Sequence, residues 1–252
     1  MSTFKQSFAW WSFSRAVRDA AAFLRQAREI GYAGVELLPH ELWDAARAAD
    51  LTIVTEGVGQ IERGLNRREH HAEIEEELKR KLDLAVRYGV PNLIVFSGNR
   101  GGLSDEAGAL VTAEGLRRLA PLTEAAGVTL VLELLNSKVD HNDYQCDRSA
   151  WGVLVTTLVG SPRVKLLYDI YHMQIMEGDI IRTIRQIAPH IGHVHTAGNP
   201  GRRDLDETQE ICYPPIMAAL TEVGYAGFVG QEFIPKGDGL AALRSAFQLC
   251  NV

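Results

Sequence analysis

Short apolar runs alternate along the chain with longer segments in which apolar positions recur at helical spacing. Runs of this length, rich in Val, Ile and Leu, are typical of buried parallel strands. Eight such strands are predicted: Lys5–Trp10, Gly34–Leu37, Leu51–Thr55, Asn92–Phe96, Thr129–Leu134, Val164–Asp169, Ile191–His195 and Gly227–Glu232. The amphipathic segments predict helices, among them Val17–Ile30, Ile74–Tyr88, Ala113–Ala126 and Pro214–Val223.

Glycines mark the ends of several of these helices and the approach to the next strand. Four of them fit helix C-caps: Gly31, Gly89, Gly127 and Gly224. The chain has 252 residues, and no Pro/Ser-rich linker or shift in composition divides it. Eight strand–helix units of this total length are typical of an α/β fold, the (β/α)8 TIM barrel. We therefore predict one TIM-barrel domain over residues 1–252.

Four potential metal ligands each close a short apolar run. Glu133 ends VTLVLE, Asp169 ends VKLLYD, His195 ends IGHVH and Glu232 ends GFVGQE. Any one of them could instead cap a helix or pair with a loop arginine. They are separated by 36, 26 and 37 residues, close to the length of one strand–helix–strand unit. This spacing predicts that the four side chains meet at one end of a parallel sheet and bind one metal ion.

Three carboxylates and one imidazole form a hard ligand set that suits Mn²⁺ or Mg²⁺, and also Co²⁺. A metal held this way could be chelated by a hydroxy-carbonyl substrate, whose carbonyl it would polarise and whose adjacent C–H it would acidify. Glu133 and Glu232 are the candidates for removing and returning the proton through an enediolate. Reprotonation at the neighbouring carbon gives isomerisation, and reprotonation at the same carbon from the other face gives epimerisation.

Composition narrows the classes of partner and cofactor. Hydrophobic residues make up 46% and charged residues 23% of the chain, as in ordinary soluble globular proteins. A net charge of −6 gives no general attraction for nucleic acid or anionic membranes. No segment has the length of a membrane span or the features of a signal peptide, so cytoplasmic residence is expected. Glycine-rich stretches lack the GxGxxG spacing, so no nucleotide cofactor is expected.

The remaining polar and aromatic candidates each have two interpretations. The three cysteines are widely spaced without a CxxC motif, which predicts free thiols. Glu36 and Glu56 follow strands and could act in the site, or cap helices and pair with arginines. His70 and His71 lie in a charged helix start, where surface positions are favoured over a substrate lid. Trp10 and Trp11, at the end of the first strand, are either site or core residues. The segment Ser137–Cys146, with Lys138, His141 and Tyr144, forms either a substrate wall or a polar loop. Lys236, Arg202 and Arg203 are either anion ligands or rim charges.

The segments LELLNSKVDH, LLYDIYHMQIMEGD, GHVHTAGNPGR and VGQEFIPKGD resemble the sugar isomerase/epimerase superfamily of metal-dependent TIM barrels, especially its hydroxypyruvate isomerase branch. The resemblance extends over nearly the whole chain and is strongest over residues 129–238. It implies a divalent metal on the four ligands above, with Glu133 and Glu232 as the acid/base pair. It also implies that His172 contacts a substrate oxygen and that Arg202 helps to bind the substrate.

The resemblance is mixed at one ligand. Where this chain has His195, hydroxypyruvate isomerases carry Gln and the ketose 3-epimerases of the superfamily carry His. The GNPGR loop, in contrast, is similar to that of the hydroxypyruvate isomerases. The leading expectation is conversion of hydroxypyruvate to tartronate semialdehyde, and the alternative is 3-epimerisation of a free ketose. A related barrel cleaves DNA at abasic sites with a His-rich zinc cluster, which the acidic balance and the single ligand His disfavour. A non-catalytic sugar-binding or assembly subunit, and assembly as a homo-oligomer, also remain open.

Overall fold

The computed structural model describes residues 2–252 as alternating strands and helices. The strands are β1 Lys5–Ala9, β2 Gly34–Glu36, β3 Thr52–Ile53, β4 Thr55–Val58, β5 Asn92–Val95, β6 Thr129–Glu133, β7 Val164–Asp169, β8 Ile191–Thr196 and β9 Phe228–Gln231. The α-helices are α1 Trp10–Phe13, α2 Ala20–Ile30, α3 Trp43–Ala48, α4 Arg68–Tyr88, α5 Asp105–Ala126, α6 Ser149–Val159, α7 Ile170–Met176, α8 Ile180–Ile187, α9 Tyr213–Glu222 and α10 Gly239–Cys250. Short 3-10 turns cover Ser14–Ala16, His40–Leu42 and Ala188–His190.

The chain forms two compact units. The first contains the described residues up to Val54, Asp179–Ala188 and Val194–Val252. Its strands follow the order β3-β2-β1-β9-β8, and the pairs are parallel. Its core includes an aromatic cluster in which Phe8 packs edge-on against Phe13, Phe23 and Tyr32, with ring centroids 5.4–6.0 Å apart.

The second unit contains Thr55–Gly178 and Pro189–His193. Its strands follow the order β7-β6-β5-β4, again with parallel pairing. Every residue of β5 and all but the first of β6 are buried. Because strands that are covered on both faces have continuous apolar sequences, the apolar runs predicted these two strands. Parallel strands alternating with helices confirm the α/β class.

One predicted strand, Leu51–Thr55, forms two strands instead. Thr52 and Ile53 pair with β2, whereas Thr55–Val58 pair with β5. The amide of Val54, which lies between them, still donates to the carbonyl of Val35 at 2.8 Å. The apolar run ends at Thr55, and Glu56 and Gly57 interrupt the pattern, so hydrophobic periodicity did not reveal β4 as a separate strand.

Two helices begin earlier than their apolar periodicity indicates. Helix α4 begins at Arg68 and α5 at Asp105, where the side chain of Ser104 accepts the amide of Ala107 at 3.2 Å. Each helix begins with two charged, exposed residues, which carry no hydrophobic signal. Gly89 and Gly127 are left-handed C-caps as predicted, since only glycine adopts that conformation without steric cost. Gly31 also caps its helix, whereas the C-cap of α9 is Val223, one residue before Gly224.

Three smaller expectations can be compared with the structure. The favoured surface position is wrong for His71, which is buried and donates from Nε2 to the carbonyl of Leu65 at 2.8 Å. The three thiols are free as predicted, with Cys212 exposed and the other two buried. Within residues 2–252, no helix is long and apolar enough to cross a membrane.

Candidate functional site

In the first unit, His195 and Glu232 lie on one face of two paired strands. His195 on β8 is aligned with Gly230 on β9, and Glu232 follows two residues later. Alternate residues of a strand share a face, so Glu232 lies on the same face as His195. The two side chains are buried, and His195 Nδ1 lies 3.1 Å from Glu232 Oε2. The structure thus brings these two predicted ligands together.

Glu232 is surrounded by donors. Trp11 Nε1 donates to Oε1 at 2.9 Å, and Arg202 Nη2 donates to Oε2 at 2.5 Å. The Arg202 guanidinium also lies over the Trp11 ring, 5.1 Å from its centroid. Burial alone would raise the pKa of Glu232, but the adjacent His195 and Arg202 and the hydrogen bond from Trp11 lower it well below the usual range. Glu232 is therefore a carboxylate at neutral pH.

Glu36 lies on the opposite side of His195. Its Oε2 is 3.0 Å from His195 Nε2, and its Oε1 accepts from Ser7 Oγ at 2.5 Å. Glu36 is completely buried at the end of β2, and the following 3-10 turn has Pro39 at its N-cap. Of the two interpretations made from sequence, the structure supports a place in the site for Glu36 over helix capping. In contrast, Glu56 forms a 3.0 Å ion pair with Lys81 on α4.

In the second unit, Glu133 and Asp169 lie on one face of paired strands. Glu133 on β6 is aligned with Leu167 on β7, and Asp169 follows two residues later, on the same face. Both carboxylates are buried. Asp169 is also the N-cap of α7, because its Oδ1 accepts the amide of His172 at 3.0 Å. One oxygen of Asp169 therefore caps a helix, which was one of the two interpretations made from the sequence.

His172 is completely buried in α7, next to Asp169. Asn136 Nδ2 donates to His172 Nδ1 at 2.6 Å, so the ring proton lies on Nε2, which is 3.7 Å from Asp169 Oδ2. Asn136 is itself fixed, since its Oδ1 accepts the amides of Val139 and Asp140 at 3.0 and 2.9 Å. His172 is thus oriented by a polar network, whereas a packing residue at a helix start would need none.

The segment Ser137–Cys146 is attached to backbone at several points. Lys138 Nζ donates to the carbonyls of Ile175 and Met176 at 2.8 and 3.2 Å. Tyr144 is completely buried, and its hydroxyl donates to the Glu133 carbonyl at 3.0 Å. These contacts support a structural role for Lys138 and Tyr144.

The loop after β8 carries Arg202. Its backbone is left-handed, with φ 55°, and its carbonyl accepts the amide of Ile234 at 2.8 Å. An antiparallel bridge between Gly198 and Arg203 closes the turn beside it. Lys236, the other candidate anion ligand, pairs with Asp206 at 2.7 Å on the exposed rim, and hydrogen bonds from Lys236 and Thr208 lower the pKa of Asp206 to about 2. Arg202 therefore contacts a predicted metal ligand, Glu232, whereas Lys236 pairs with an exposed aspartate on the rim.

Asn136, which contacts the His172 ring, was not identified from the sequence. Its only signal is position, because it follows the strand that ends at Glu133. Trp11 and Glu36 were candidates with two interpretations each, and their hydrogen bonds to Glu232 and His195 assign them to the site.

Comparison with known proteins extends over most of the chain. The family described as xylose isomerase-like TIM barrel matches residues 24–249. A Homo sapiens protein named putative hydroxypyruvate isomerase is 31% identical over 245 residues, which cover 89% of this chain and 88% of that protein. A 2-oxo-tetronate isomerase of Pectobacterium atrosepticum is 31% identical over 66% of this chain and 65% of its own. A crystal structure titled AP endonuclease, family 2 from Brucella melitensis superposes with a TM-score of 0.87 at 28% identity, covering 97% of this chain and 98% of that one.

Proposed function

Because the chain belongs to the xylose isomerase-like TIM-barrel family and is an isomerase of that family, we propose that it isomerises a small α-hydroxy-carbonyl compound through an enediolate. Membership of the family confirms the predicted (β/α)8 fold. The leading reaction is hydroxypyruvate to tartronate semialdehyde. In that reaction a proton leaves C3 and a proton is returned to C2, so the ketone becomes an alcohol and the primary alcohol becomes an aldehyde. We also propose that residues 1–252 form one domain, since the family match runs from residue 24 to 249.

The observation that carries this proposal is the placement of buried ligand side chains at parallel strand ends. In a TIM barrel the carboxyl ends of all strands open on one face. We therefore propose that Glu133, Asp169, His195 and Glu232 bind a single divalent metal ion. Each of the four offers a buried donor atom. Three carboxylates with one imidazole fit Mn²⁺ or Mg²⁺, and Co²⁺ as well.

The polar surroundings of His195 also fit a cation. Its Nδ1 lies 3.1 Å from a carboxylate oxygen of Glu232, while its Nε2 lies 3.0 Å from Glu36. An imidazole nitrogen lone pair and a carboxylate oxygen repel each other at this distance unless a cation is shared between them. When bound, a divalent ion here supplies a Lewis acid that polarises the substrate carbonyl and acidifies the adjacent C–H.

The chain's own residues then bind the substrate and move the proton. Glu232 is ionised and therefore able to accept a proton, and Glu133 is the second carboxylate that completes the exchange. His172 carries its proton on Nε2 and donates it in a hydrogen bond to a substrate oxygen. The planar guanidinium of Arg202 matches the geometry of a carboxylate, which hydroxypyruvate has.

The second candidate is a ketose 3-epimerase, favoured by one residue. His195 stands where the sequence resemblance implies Gln in hydroxypyruvate isomerases and His in ketose 3-epimerases. Both reactions use the same proton abstraction and differ in the carbon and face that receive the proton. Abasic DNA is not the proposed substrate, since a net charge of −6 opposes binding to a phosphate backbone.

The test is proton NMR in D₂O on metal-stripped protein, with Mg²⁺, Mn²⁺ or Co²⁺ added back separately. Hydroxypyruvate, 2-oxo-tetronate and free ketoses are supplied in turn, and an abasic oligonucleotide is assayed for cleavage in parallel. Since Mn²⁺ and Co²⁺ broaden the lines, they are chelated before the spectra are recorded. Metal-dependent deuterium incorporation with a new aldehyde is the expected result. Incorporation at C3 of a ketose, with a new ketose formed, would replace isomerisation by epimerisation. Ligand binding without exchange in any metal would leave the non-catalytic subunit as the explanation.

A further inference from the structure

The imidazole of His195 lies between two carboxylates of the same unit. Glu232, a proposed metal ligand, faces Nδ1 at 3.1 Å, and Glu36, which is outside the proposed ligand set, faces Nε2 at 3.0 Å. His195 and Glu36 are completely inaccessible to solvent. The environment of the two ring nitrogens therefore decides which one can bind a metal.

Glu36 fixes the position of the ring proton. A carboxylate only accepts hydrogen bonds, and burying one without donors costs several kcal/mol, on the order of the desolvation of an ion. Ser7 Oγ donates to Oε1 of Glu36, and Oε2 faces the ring nitrogen Nε2 of His195. The proton of the neutral ring consequently lies on Nε2, and the lone pair of Nδ1 is directed to the side of Glu232.

The register of four strands makes this contact. Ser7 on β1 is aligned with Gly34 on β2 and with Gly230 on β9, and Gly230 is aligned with His195 on β8. Glu36 is two residues beyond Gly34, so it emerges on the same face as Ser7, Gly230 and His195. The carboxylate and the imidazole therefore meet above the backbone of Gly230.

Gly230 supplies the space that the contact needs. A Cβ at this position would lie far inside van der Waals contact of Glu36 Oε1 and 2.9 Å from His195 Cδ2. Its φ is not among the positive values of the chain, so an L-residue would adopt this backbone without strain. The requirement for glycine here is therefore steric, and it arises from the Glu36–His195 pair.

We propose that Glu36 is a positioning residue that fixes the tautomer and ring orientation of His195, so that Nδ1 binds the divalent metal. Ser7 holds Glu36 from behind, and Gly230 admits it to the imidazole. This inference rests on the proposed function, because it assigns the binding atom of one proposed ligand. Partners of this kind typically change metal affinity by about 10- to 100-fold when they are removed.

The experiment measures Mn²⁺ affinity by isothermal titration calorimetry on metal-stripped protein. Glu36→Leu removes the acceptor and is expected to weaken binding about 10- to 100-fold. Glu36→Gln keeps an acceptor for Nε2–H and should recover most of that loss, which identifies orientation as the cause. Gly230→Ala should weaken binding without altering any ligand, and Ser7→Ala should do so to a smaller extent. Glu56→Gln, at a strand glutamate that pairs with Lys81, is the matched control and should leave the affinity unchanged.

A second readout separates positioning from mere stabilisation of the fold. Long-range ¹H–¹⁵N correlation spectra of the Mg²⁺-loaded protein report the tautomer of His195 directly. The Nε2–H form is expected in the wild type and in Glu36→Gln, and its loss is expected in Glu36→Leu. Wild-type affinity in Glu36→Leu, or a wild-type spectrum with the proton on Nδ1, would overturn this inference while leaving the proposed function intact. A wild-type protein that binds no divalent metal would instead overturn both this inference and the proposed function. If Glu36→Leu does not fold, Glu36→Gln and Ser7→Ala keep the test decisive.

Discussion

Replacing Glu232 by glutamine tests the acid/base assignment most directly. The substitution keeps the volume of the side chain and removes its charge and its ability to accept a proton. Proton transfer by a positioned side chain typically contributes about 10²- to 10⁴-fold to a rate. We expect deuterium exchange in Glu232→Gln to fall by at least about 100-fold, and Glu133→Gln to behave in the same way. Exchange within about tenfold of wild type in either variant would remove that residue from the acid/base pair.

The surroundings of Glu232 also predict a loss of stability in the metal-free protein. Trp11 donates to one carboxylate oxygen and Arg202 to the other. A glutamine amide has one oxygen and one NH₂ group, so one of these donors must face another donor. Leaving a buried donor unsatisfied costs about 1–3 kcal/mol. The amide oxygen should turn to the charged Arg202, and since Trp11 is 37% exposed, we expect a cost near the lower limit, about 1 kcal/mol.

A double-mutant cycle measured by urea unfolding in EDTA isolates this conflict. Trp11→Phe removes the indole N–H, so in the double variant the amide NH₂ no longer faces a donor. The combined loss should be smaller than the sum of the single losses by about 1 kcal/mol. Additivity within about 0.3 kcal/mol would refute the donor conflict.

Three further predictions concern residues around the site and on the surface. In a carboxyl ¹³C NMR titration Asp206 should show a pKa of about 2, and Lys236→Met should return that pKa toward its ordinary range. Because the pKa is lowered in the folded protein, the stability gained from the pair is present above the unfolded pKa and is lost as the pH falls through about 2. A thiol reagent should modify Cys212 rapidly in the folded protein, whereas the two buried thiols, whose pKa values burial raises, should react only after denaturation; three fast thiols would contradict the structure. Asn136→Ala should lower kcat/KM about tenfold or more by releasing His172, with unchanged Mn²⁺ affinity; wild-type kinetics would show that the hydrogen bond does not position the imidazole.

Local patterns predicted the strands that end in Glu133, Asp169, His195 and Glu232, because a buried run that stops at a polar residue is visible within six residues of sequence. The pairing of His195 with Glu232 also follows from adjacent strand ends. The role of Glu36 could not be deduced in this way, since it depends on the register among β1, β2, β8 and β9. A shift of that register by one residue would turn the carboxylate to the other face.

The same limit explains the other differences between expectation and structure. The burial of His71 depends on its contact with the Leu65 carbonyl, and the charged sequence around it gives no sign of that contact. The end of β3 within Leu51–Thr55 and the start of β4 at Thr55 depend on pairing with two different strands, β2 and β5, which the local sequence does not show. Sequence patterns report burial along one element, whereas these features are set by partners distant in the chain.

The contact between Arg202 and Glu232 bears on the choice between the two candidate reactions. Both oxygens of Glu232 already accept hydrogen bonds, and each of these donors lowers the basicity of the carboxylate that is proposed to take the proton. Withdrawal of Arg202 would break the ion pair of this half-buried guanidinium with Glu232, and a substrate anion would offset that cost. Hydroxypyruvate supplies a carboxylate that can replace Glu232 as the partner of Arg202, and a free ketose supplies only hydroxyl groups. We therefore propose that an anionic substrate pairs with Arg202 and leaves the Glu232 carboxylate more basic for proton transfer, which favours an α-hydroxy-carbonyl acid over a neutral sugar as the substrate of the proposed isomerisation.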